Sequence, residues 1–191
     1  MVRWCVPLVV CACESATPPS LFVATARDGD HDVSIALITD GERVAAYACA
    51  DDVARDPYPG WFIGDLAQDG NFALTLNGWS FSGSITASGA RGTIVEPDGT
   101  VVSWASAATS HASLTGLYKS DPSDATCDAS VIVIADDPSK PPLVRGAWCN
   151  VMQVTPVAPV ALVDGLLGVD VAAREAPMRL YVAPVRTIPP P

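Results

Sequence analysis

Turn-forming dipeptides recur along this chain at short intervals, and they constrain its fold more than any other feature. Asp-Gly and Asn-Gly favour two-residue turns whose backbone twist matches that of paired antiparallel strands. Between Asp69 and Asp98 the turns follow one another about every ten residues, which leaves room for strands and none for helices. The sequence therefore predicts hairpins at Asp28-Gly29, Asp40-Gly41, Asp69-Gly70, Asn77-Gly78, Ser88-Gly89, Asp98-Gly99 and Asp164-Gly165.

The segments between the turns alternate as half-buried strands do. In Trp79–Ile85 the apolar side chains share one face, and serines occupy the other. Val131–Ile134 is apolar on both faces, which predicts a central or doubly covered strand. Glycines inside strands often mark bends or bulges, which are expected at Gly83, Gly92, Gly116 and Gly146. We therefore predict an all-β fold, an antiparallel meander rolled into an open barrel or a two-layer sandwich.

One stretch, Glu42–Arg55, is rich in alanine and places several apolar residues at helical spacing, so a helix is an alternative there. We favour a strand that ends near Cys49, followed by a loop over residues 51–59. Pro57 and Pro59 in that loop would stop a helix.

The N-terminal residues have the features of an export signal, with a positive charge at Arg3 and a short apolar run over residues 4–10. Val10–Cys13 matches a lipobox, in which an apolar and a small residue precede the acylated cysteine. We predict a signal peptide over residues 1–12, a lipidated Cys13 with a polar tether over residues 13–20, one β-rich domain over residues 21–186, and a proline-rich tail over residues 187–191. A buried N-terminal strand and a start upstream of Met1 are the alternatives left open.

Acylation of Cys13 leaves three cysteines in the exported chain, Cys49, Cys127 and Cys149. Cys127 begins one predicted strand and Cys149 ends the next, with a proline-rich turn over residues 136–142 between them. Folding about that turn brings the two sulfur atoms together, so we predict a Cys127–Cys149 disulfide and a buried free thiol at Cys49. A disulfide between Cys49 and one of the others remains the alternative.

Charge and motifs exclude several classes of function. The formal net charge of −10 disfavours binding to DNA, RNA or anionic lipid headgroups. His31 and His111 are the only histidines, and the sequence contains no Gly-x-Ser-x-Gly elbow, no His-Glu-x-x-His motif, no zinc-binding cysteine pairs and no nucleotide-binding glycine pattern. We therefore predict a protein that is not an enzyme and that uses no cofactor.

Two groups of residues are candidate binding sites. The alternating carboxylates of Asp28, Asp30 and Asp32 are similar to the first positions of a calcium loop. Because Val33 stands where that loop requires glycine, a hairpin turn is the preferred interpretation and a weak calcium site the lesser one. Aromatic residues could line a ligand cavity or stack on sugars, although core packing also accounts for them. The possible ligand contacts are Tyr58, Trp61 and Trp79.

The middle of the chain resembles a group of small bacterial secreted or lipidated proteins. Their pattern is an Asp-Gly turn, an Ala-Tyr-x-Cys strand, and Gly-Thr strands that end in Gly-Leu-Tyr-Arg. Between Val33 and Lys119 the pattern is matched by Asp40-Gly41, Ala46–Cys49, Gly92-Thr93 and Gly116–Lys119. The final lysine in place of arginine and the long loop over residues 51–59 depart from it. The resemblance implies a β-meander and an extracytoplasmic location. It carries no information about activity.

The sequence thus predicts a non-enzymatic extracytoplasmic lipoprotein that acts as a binding or interaction module at the bacterial cell envelope. Lipid on Cys13 would anchor it to the cell membrane or the outer membrane, and its partner would be an envelope protein or a small ligand. The alternatives are a β-barrel that binds a small ligand or saccharide, and an envelope enzyme of unrecognised type.

Overall fold

The computed structural model describes residues 19–51, 58, 60–109, 114–120, 128–149, 152–171 and 178–189. Within these ranges the chain forms strands and no helix. In chain order the strands are β1 Ser20–Asp28, β2 His31–Thr39, β3 Arg43–Ala50, β4 Trp61–Asp65, β5 Asn71–Leu76, β6 Trp79–Thr86, β7 Gly89–Val95, β8 Val101–Ser106, β9 Ala108–Thr109, β10 Gly116–Ser120, β11 Ala129–Ile134, β12 Leu143–Trp148, β13 Met152–Pro156, β14 Leu162–Val163, β15 Leu166–Val171 and β16 Met178–Pro184.

The predicted turns connect these strands. Asn77 and Gly78 both adopt positive φ, at 51° and 86°, which is the geometry of a type I′ hairpin turn. Asp164 and Gly165 adopt the same combination between β14 and β15. Six of the seven predicted turns join strands that pair with each other. The seventh, Asp69-Gly70, carries the chain from one sheet to the next.

The first half of the molecule consists of two antiparallel sheets. Their strand orders are β4-β3-β2-β1-β9 and β5-β6-β7-β8. Closely packed aromatic rings, some stacked and some tilted, fill the core that these sheets share. Their centroid separations range from 5.4 to 6.4 Å among Phe62, Phe72, Phe81 and Trp104. The Ser106 hydroxyl donates to the Val23 carbonyl oxygen at 2.6 Å, which ties the end of β8 to β1.

The second half is a third sheet of order β13-β12-β11-β10-β16-β15-β14. β13 also pairs with β15, with Val154 opposite Val171, so six of these strands close into a barrel. Branched side chains from alternate positions fill its interior, including Val131, Val133, Val144, Val154, Val169 and Val182. The predicted all-β antiparallel meander is confirmed, with packed sheets in one half and a barrel in the other.

A further core, called here the intersheet core, joins the two halves. β11 has both faces covered, since Val131 and Val133 point into the barrel while Ile132 points toward the first sheet. The predicted doubly covered strand is therefore confirmed. The buried residues of the intersheet core are Leu21, Ala36, Ile38, Ala45, Tyr47, Cys49, Leu117, Ile132, Ala147 and Ile188. Packing thus continues to Ile188, within the segment expected to be a tail.

Residues 43–50 form strand β3, so the strand prediction for this stretch is confirmed and the helical alternative is wrong. Ala46 and Ala48 face the aromatic core, while Tyr47 and Cys49 face the intersheet core. Because both faces are buried, apolar residues occupy every position of the strand, and a subset of them imitates helical spacing.

The expected bulges are absent from the glycine-containing strands. The ladders of β6 with β5 and β7 run unbroken through Gly83, and those at Gly92 and Gly146 are also continuous. Gly116 is the first residue of β10 and pairs with Val133. The predicted signal peptide, Cys13, most of the loop over residues 51–59, His111 and Cys127 lie outside the described residues. The predictions for them stay predictions.

Candidate functional site

Strand β1 gives the first half of the molecule two distinct ends. Its nine residues run about 26 Å from Ser20 to Asp28. The tether end, where β1 begins at Ser20, adjoins the predicted tether. The far end, where β1 finishes at Asp28, lies on the opposite side of the aromatic core.

At the far end, Tyr58 lies between two carboxylates. Its hydroxyl donates to Asp28 Oδ2 at 3.1 Å and reaches Glu96 Oε1 at 3.5 Å. The Tyr58 and Trp79 rings lie 4.8 Å apart at a tilt of 43°. The structure thus brings together two of the three predicted ligand contacts. Tyr58 itself is buried, however, so Trp79, Asp28 and Glu96 form the accessible part of this group.

Trp61, the third predicted contact, lies apart from the other two and faces the barrel. Its indole Nε1 donates to Ser130 Oγ at 2.7 Å. The Lys119 ammonium lies 5.7 Å from the centre of its ring, and the Tyr47 ring lies 5.6 Å away. Trp61 therefore fastens the first sheet to the barrel.

The aspartates of the predicted calcium candidate have separate partners. Asp28 accepts a hydrogen bond from Tyr58, and Asp32 pairs with Arg27 at 2.8 Å. Asp30 is exposed within the β1–β2 turn. Across the part of the chain that the structure describes, no three His, Cys, Asp or Glu side chains group in a way that could hold a metal ion.

A histidine–aspartate pair lies beside the far end. His31 Nδ1 is 3.0 Å from Asp51 Oδ1, and Gln153 Nε2 of the barrel donates to the Asp51 carbonyl oxygen at 3.0 Å. Partial burial is the largest single influence on the pKa of Asp51 and raises it, but the hydrogen bonds from His31 and the Asp32 backbone, with the charges of His31 and Arg145, together hold the pKa below its usual value. The pair links the first sheet to β13.

Four polar side chains lie on strand faces that form the intersheet core, and they are called here the intersheet polar cluster: Ser34, Tyr47, Cys49 and the partly buried Arg145. Cys49 is a buried free thiol, as predicted. Burial raises its pKa from 9.0 to about 12, against smaller opposing effects of the Arg145 charge and the Tyr47 hydroxyl. Sequence reasoning missed the cluster. The one available signal was Ser34, a polar residue within the apolar run Val33–Ile38.

Two surface grooves lie on either side of the start of β1. One, of about 250 Å³, is lined by residues that include Leu21, Leu117, Leu162 and Arg186. The other, of about 470 Å³, includes Phe22, Thr39, Leu66 and Ile85. Beside the first groove, the β14–β15 hairpin exposes three aliphatic side chains, called here the apolar hairpin: Leu162, Val163 and Leu166. Both grooves and the apolar hairpin therefore lie at the tether end.

Cys149 is disulfide-bonded. Its backbone N–H donates to the Asp128 carbonyl oxygen at 3.0 Å, which places it beside the neighbour of Cys127 in the sequence. Since Cys127 lies outside the described residues, its pairing with Cys149 stays a prediction.

No helix within the described ranges has the length and apolar character needed to cross a membrane. In comparisons with known proteins, no family model, no curated protein and no solved structure matches this chain.

Proposed function

We propose that this chain is a non-enzymatic extracytoplasmic lipoprotein that acts as a binding module at the bacterial cell envelope, with its tether end seated against the membrane. The proposal is carried by the apolar hairpin, whose Val163 is 65% exposed. Clusters of exposed aliphatic side chains mark contact surfaces. Leu162 of this hairpin shares a groove with Leu21, next to the residue where the predicted tether joins β1.

The length of the predicted tether favours the membrane as the occupant of this surface. Seven residue steps separate Cys13 from Ser20, and an extended chain covers at most about 3.6 Å per residue. A lipid anchor would therefore hold the tether end within about 25 Å of the bilayer. The formal charge of −10 favours neutral over anionic headgroups, so the contact would be mainly apolar.

Seating on the tether end leaves the far end facing away from the membrane. There the Trp79 ring and the carboxylates of Asp28 and Glu96 offer an aromatic and acidic surface for an envelope partner. The aromatic core and the barrel interior are filled by side chains, which supports binding at the surface over the alternative of a ligand carried inside a barrel.

Replacement of the predicted lipidation site tests the anchor. Cys13→Ser removes the acyl chains, so the protein should move from the membrane fraction to the soluble fraction of cells that express it. Thr17→Ser provides the control, since it changes a residue of the predicted tether outside the lipobox and should leave the protein with the membranes. If the Cys13→Ser protein stayed in the membrane fraction, the predicted lipid anchor would be refuted.

Contact of the tether end with the membrane, called here the seating, is tested with one environment-sensitive fluorophore attached to the lipidated protein in phosphatidylcholine vesicles. The fluorescence emission of a probe on Val163→Cys should shift to shorter wavelength. Lipids that carry a quencher at the headgroup should reduce its intensity. A probe on Val101→Cys is the matched control, because Val101 is a 59% exposed valine beside the far end. Equal quenching at the two positions would overturn the seating and leave the anchor untouched.

A further inference from the structure

The larger of the two grooves at the tether end opens between the two sheets of the first half, and it is called here the sheet-end groove. Its volume of about 470 Å³ falls within the range of pockets that hold small ligands. Strands β1 and β2 line one side of it, and β6 lines the other. Its lining includes Phe22, Thr39, Asp40, Leu66, Ile85 and Ala87.

The inner wall of the sheet-end groove is apolar. Phe22 is 2% exposed and belongs to the aromatic core. Leu66 and Ile85 pack against the same core and remain partly exposed. A hydrocarbon chain that entered the groove would cover the exposed surface of these two side chains, and removing that surface from water is favourable.

The polar groups at the rim already have partners within the protein. The Thr39 hydroxyl donates to the Arg43 carbonyl oxygen at 2.6 Å, and the Thr86 hydroxyl donates to the Gly89 carbonyl oxygen at 3.0 Å. Asp40 is the only charged residue among those described that line the groove, and its Oδ2 lies 3.7 Å from Arg43 Nε. The rim therefore offers a ligand few free hydrogen-bonding groups and little net charge, which suits an uncharged hydrocarbon.

The position of the sheet-end groove indicates the source of such a hydrocarbon. Ser20, the first residue of β1, lines the groove, and the predicted lipid on Cys13 lies seven residue steps before it. With the anchor inserted, the groove therefore opens within about 25 Å of the bilayer. The acyl chains on Cys13 itself are then in the bilayer, so the occupant comes from a neighbouring lipid. This step rests on the proposed function, whereas the apolar chemistry of the groove does not.

We propose that the sheet-end groove binds one acyl chain of a membrane phospholipid. The chain would lie against Phe22, Leu66 and Ile85, and the headgroup would stay outside the groove at the rim. The site would add a specific lipid contact to the contact that the apolar hairpin makes at the same end of the molecule.

The first test measures binding in solution, with a lysophosphatidylcholine whose polyene acyl chain becomes more fluorescent in apolar surroundings. The unlipidated Cys13→Ser protein is titrated below the critical micelle concentration of the lipid, so the result does not depend on the anchor. We expect saturable binding of one lipid per protein. Leu66→Gln places an amide in the inner wall and should weaken binding by about tenfold. Leu76→Gln is the matched control, because Leu76 is also partly buried against the aromatic core but lies outside the groove.

A second pair of variants changes exposed alanines, so that the result holds even where a leucine variant fails to fold. Ala87→Tyr adds a ring at the rim of the groove and should weaken binding to a similar extent. Ala73→Tyr adds the same ring to an exposed position of β5 outside the groove and should leave binding unchanged. Absence of saturable binding to the protein without these changes, or equal affinities of the Ala87→Tyr and Ala73→Tyr proteins, would overturn the proposal.

The second test locates the lipid. The lipidated protein is irradiated in phosphatidylcholine vesicles that contain a phosphatidylcholine with a photoactivatable group at the end of one acyl chain. Crosslinks should fall in the tryptic peptides 28–43 and 56–91, which contain Thr39 and Leu66. Crosslinks confined to peptide 146–174, which contains the apolar hairpin, would overturn the groove as the lipid site and leave the seating intact.

Discussion

The ring of Phe72 on β5 lies over Gly83, its direct partner on β6. A Cβ atom at Gly83 would come within 3.0 Å of Phe72 Cζ, and it would collide with the carbonyl oxygen of Arg91 on the other side. Gly83 therefore serves a purpose other than a bulge. It leaves room for a large ring on the neighbouring strand, in a core where aromatic side chains already touch one another.

We expect Gly83→Ala to destabilise the protein, because the added methyl group forces either the Phe72 ring or the β7 backbone to move. Overpacking of this kind lowers the free energy of unfolding by about 1–3 kcal/mol. Urea unfolding followed by tryptophan fluorescence measures the change. Ser84→Ala, at the next position of the same strand, should stay within about 0.5 kcal/mol of wild type. Equal losses in the two variants would contradict the packing role.

We expect the hydrogen bond from Trp61 to Ser130 to contribute to the attachment of the first sheet to the barrel. Ser130 is 3% exposed, so Ser130→Ala leaves the indole N–H without its acceptor. The expected loss is about 1–2 kcal/mol in the free energy of unfolding. In a protein that carries Trp61→Phe, Ser130→Ala should lower the free energy of unfolding by much less. The double-mutant cycle gives the coupling free energy between the two side chains. Additive losses would show that the bond contributes nothing.

Local features of the sequence were sufficient to predict the all-β class, the hairpin turns and several of the strands of this fold. The Asn77-Gly78 turn and the alternation that follows it depend on residues within one hairpin, where backbone conformation and side-chain face follow from neighbours in the chain. The barrel closure was not predictable in this way. The closure depends on the pairing of β13 with β15, in which Val154 lies opposite Val171. Residues that are close together in the sequence do not show whether the two edges of a sheet will pair, so they do not distinguish a closed barrel from an open sheet.

The candidate site was predictable in part, for a related reason. Residue type pointed to Tyr58 and Trp79, which do meet, but it could not separate them from Trp61, which faces another core. The influence of the Arg145 charge on Cys49 was invisible in the sequence, because the two residues come from different sheets that only tertiary packing brings together. The sequence pattern of a strand shows which side chains share a face, but it does not show which other strands pack against that face.

We expect Cys49 to make stability depend on pH in alkaline solution. Burial raises its pKa from 9.0 to about 12, so between these values the folded protein keeps a proton that the unfolded chain releases. The stability that is present below pH 9 is therefore lost as the pH rises toward 12. Between pH 8 and pH 10.5 the wild-type protein should lose about 1–2 kcal/mol more than Cys49→Ala.

Chemical denaturation at a series of pH values measures this difference. Tyr47 is present in both proteins, and burial, the largest cause of its raised pKa, acts in both. Reaction with a thiol reagent is the independent check. Cys49 should react slowly in the folded protein at pH 8 and rapidly once it is unfolded, because the thiolate is the reactive form. Parallel pH profiles for wild type and Cys49→Ala, together with rapid modification in the folded state, would show that the thiol is not protected.

The disulfide of Cys149 is expected to join it to Cys127. Trypsin cleaves after Arg145, so the two cysteines fall in different peptides, and Cys49 lies in a third, over residues 44–55. Mass spectrometry without reduction should recover the Cys127 and Cys149 peptides as one linked species, with Cys49 alkylated only after unfolding. Closing a loop of this size stabilises the folded state by about 3 kcal/mol, so reduction or the double variant Cys127→Ser/Cys149→Ser should lower stability by a similar amount. A linked peptide that contains Cys49 would contradict both this pairing and the free thiol in the intersheet core.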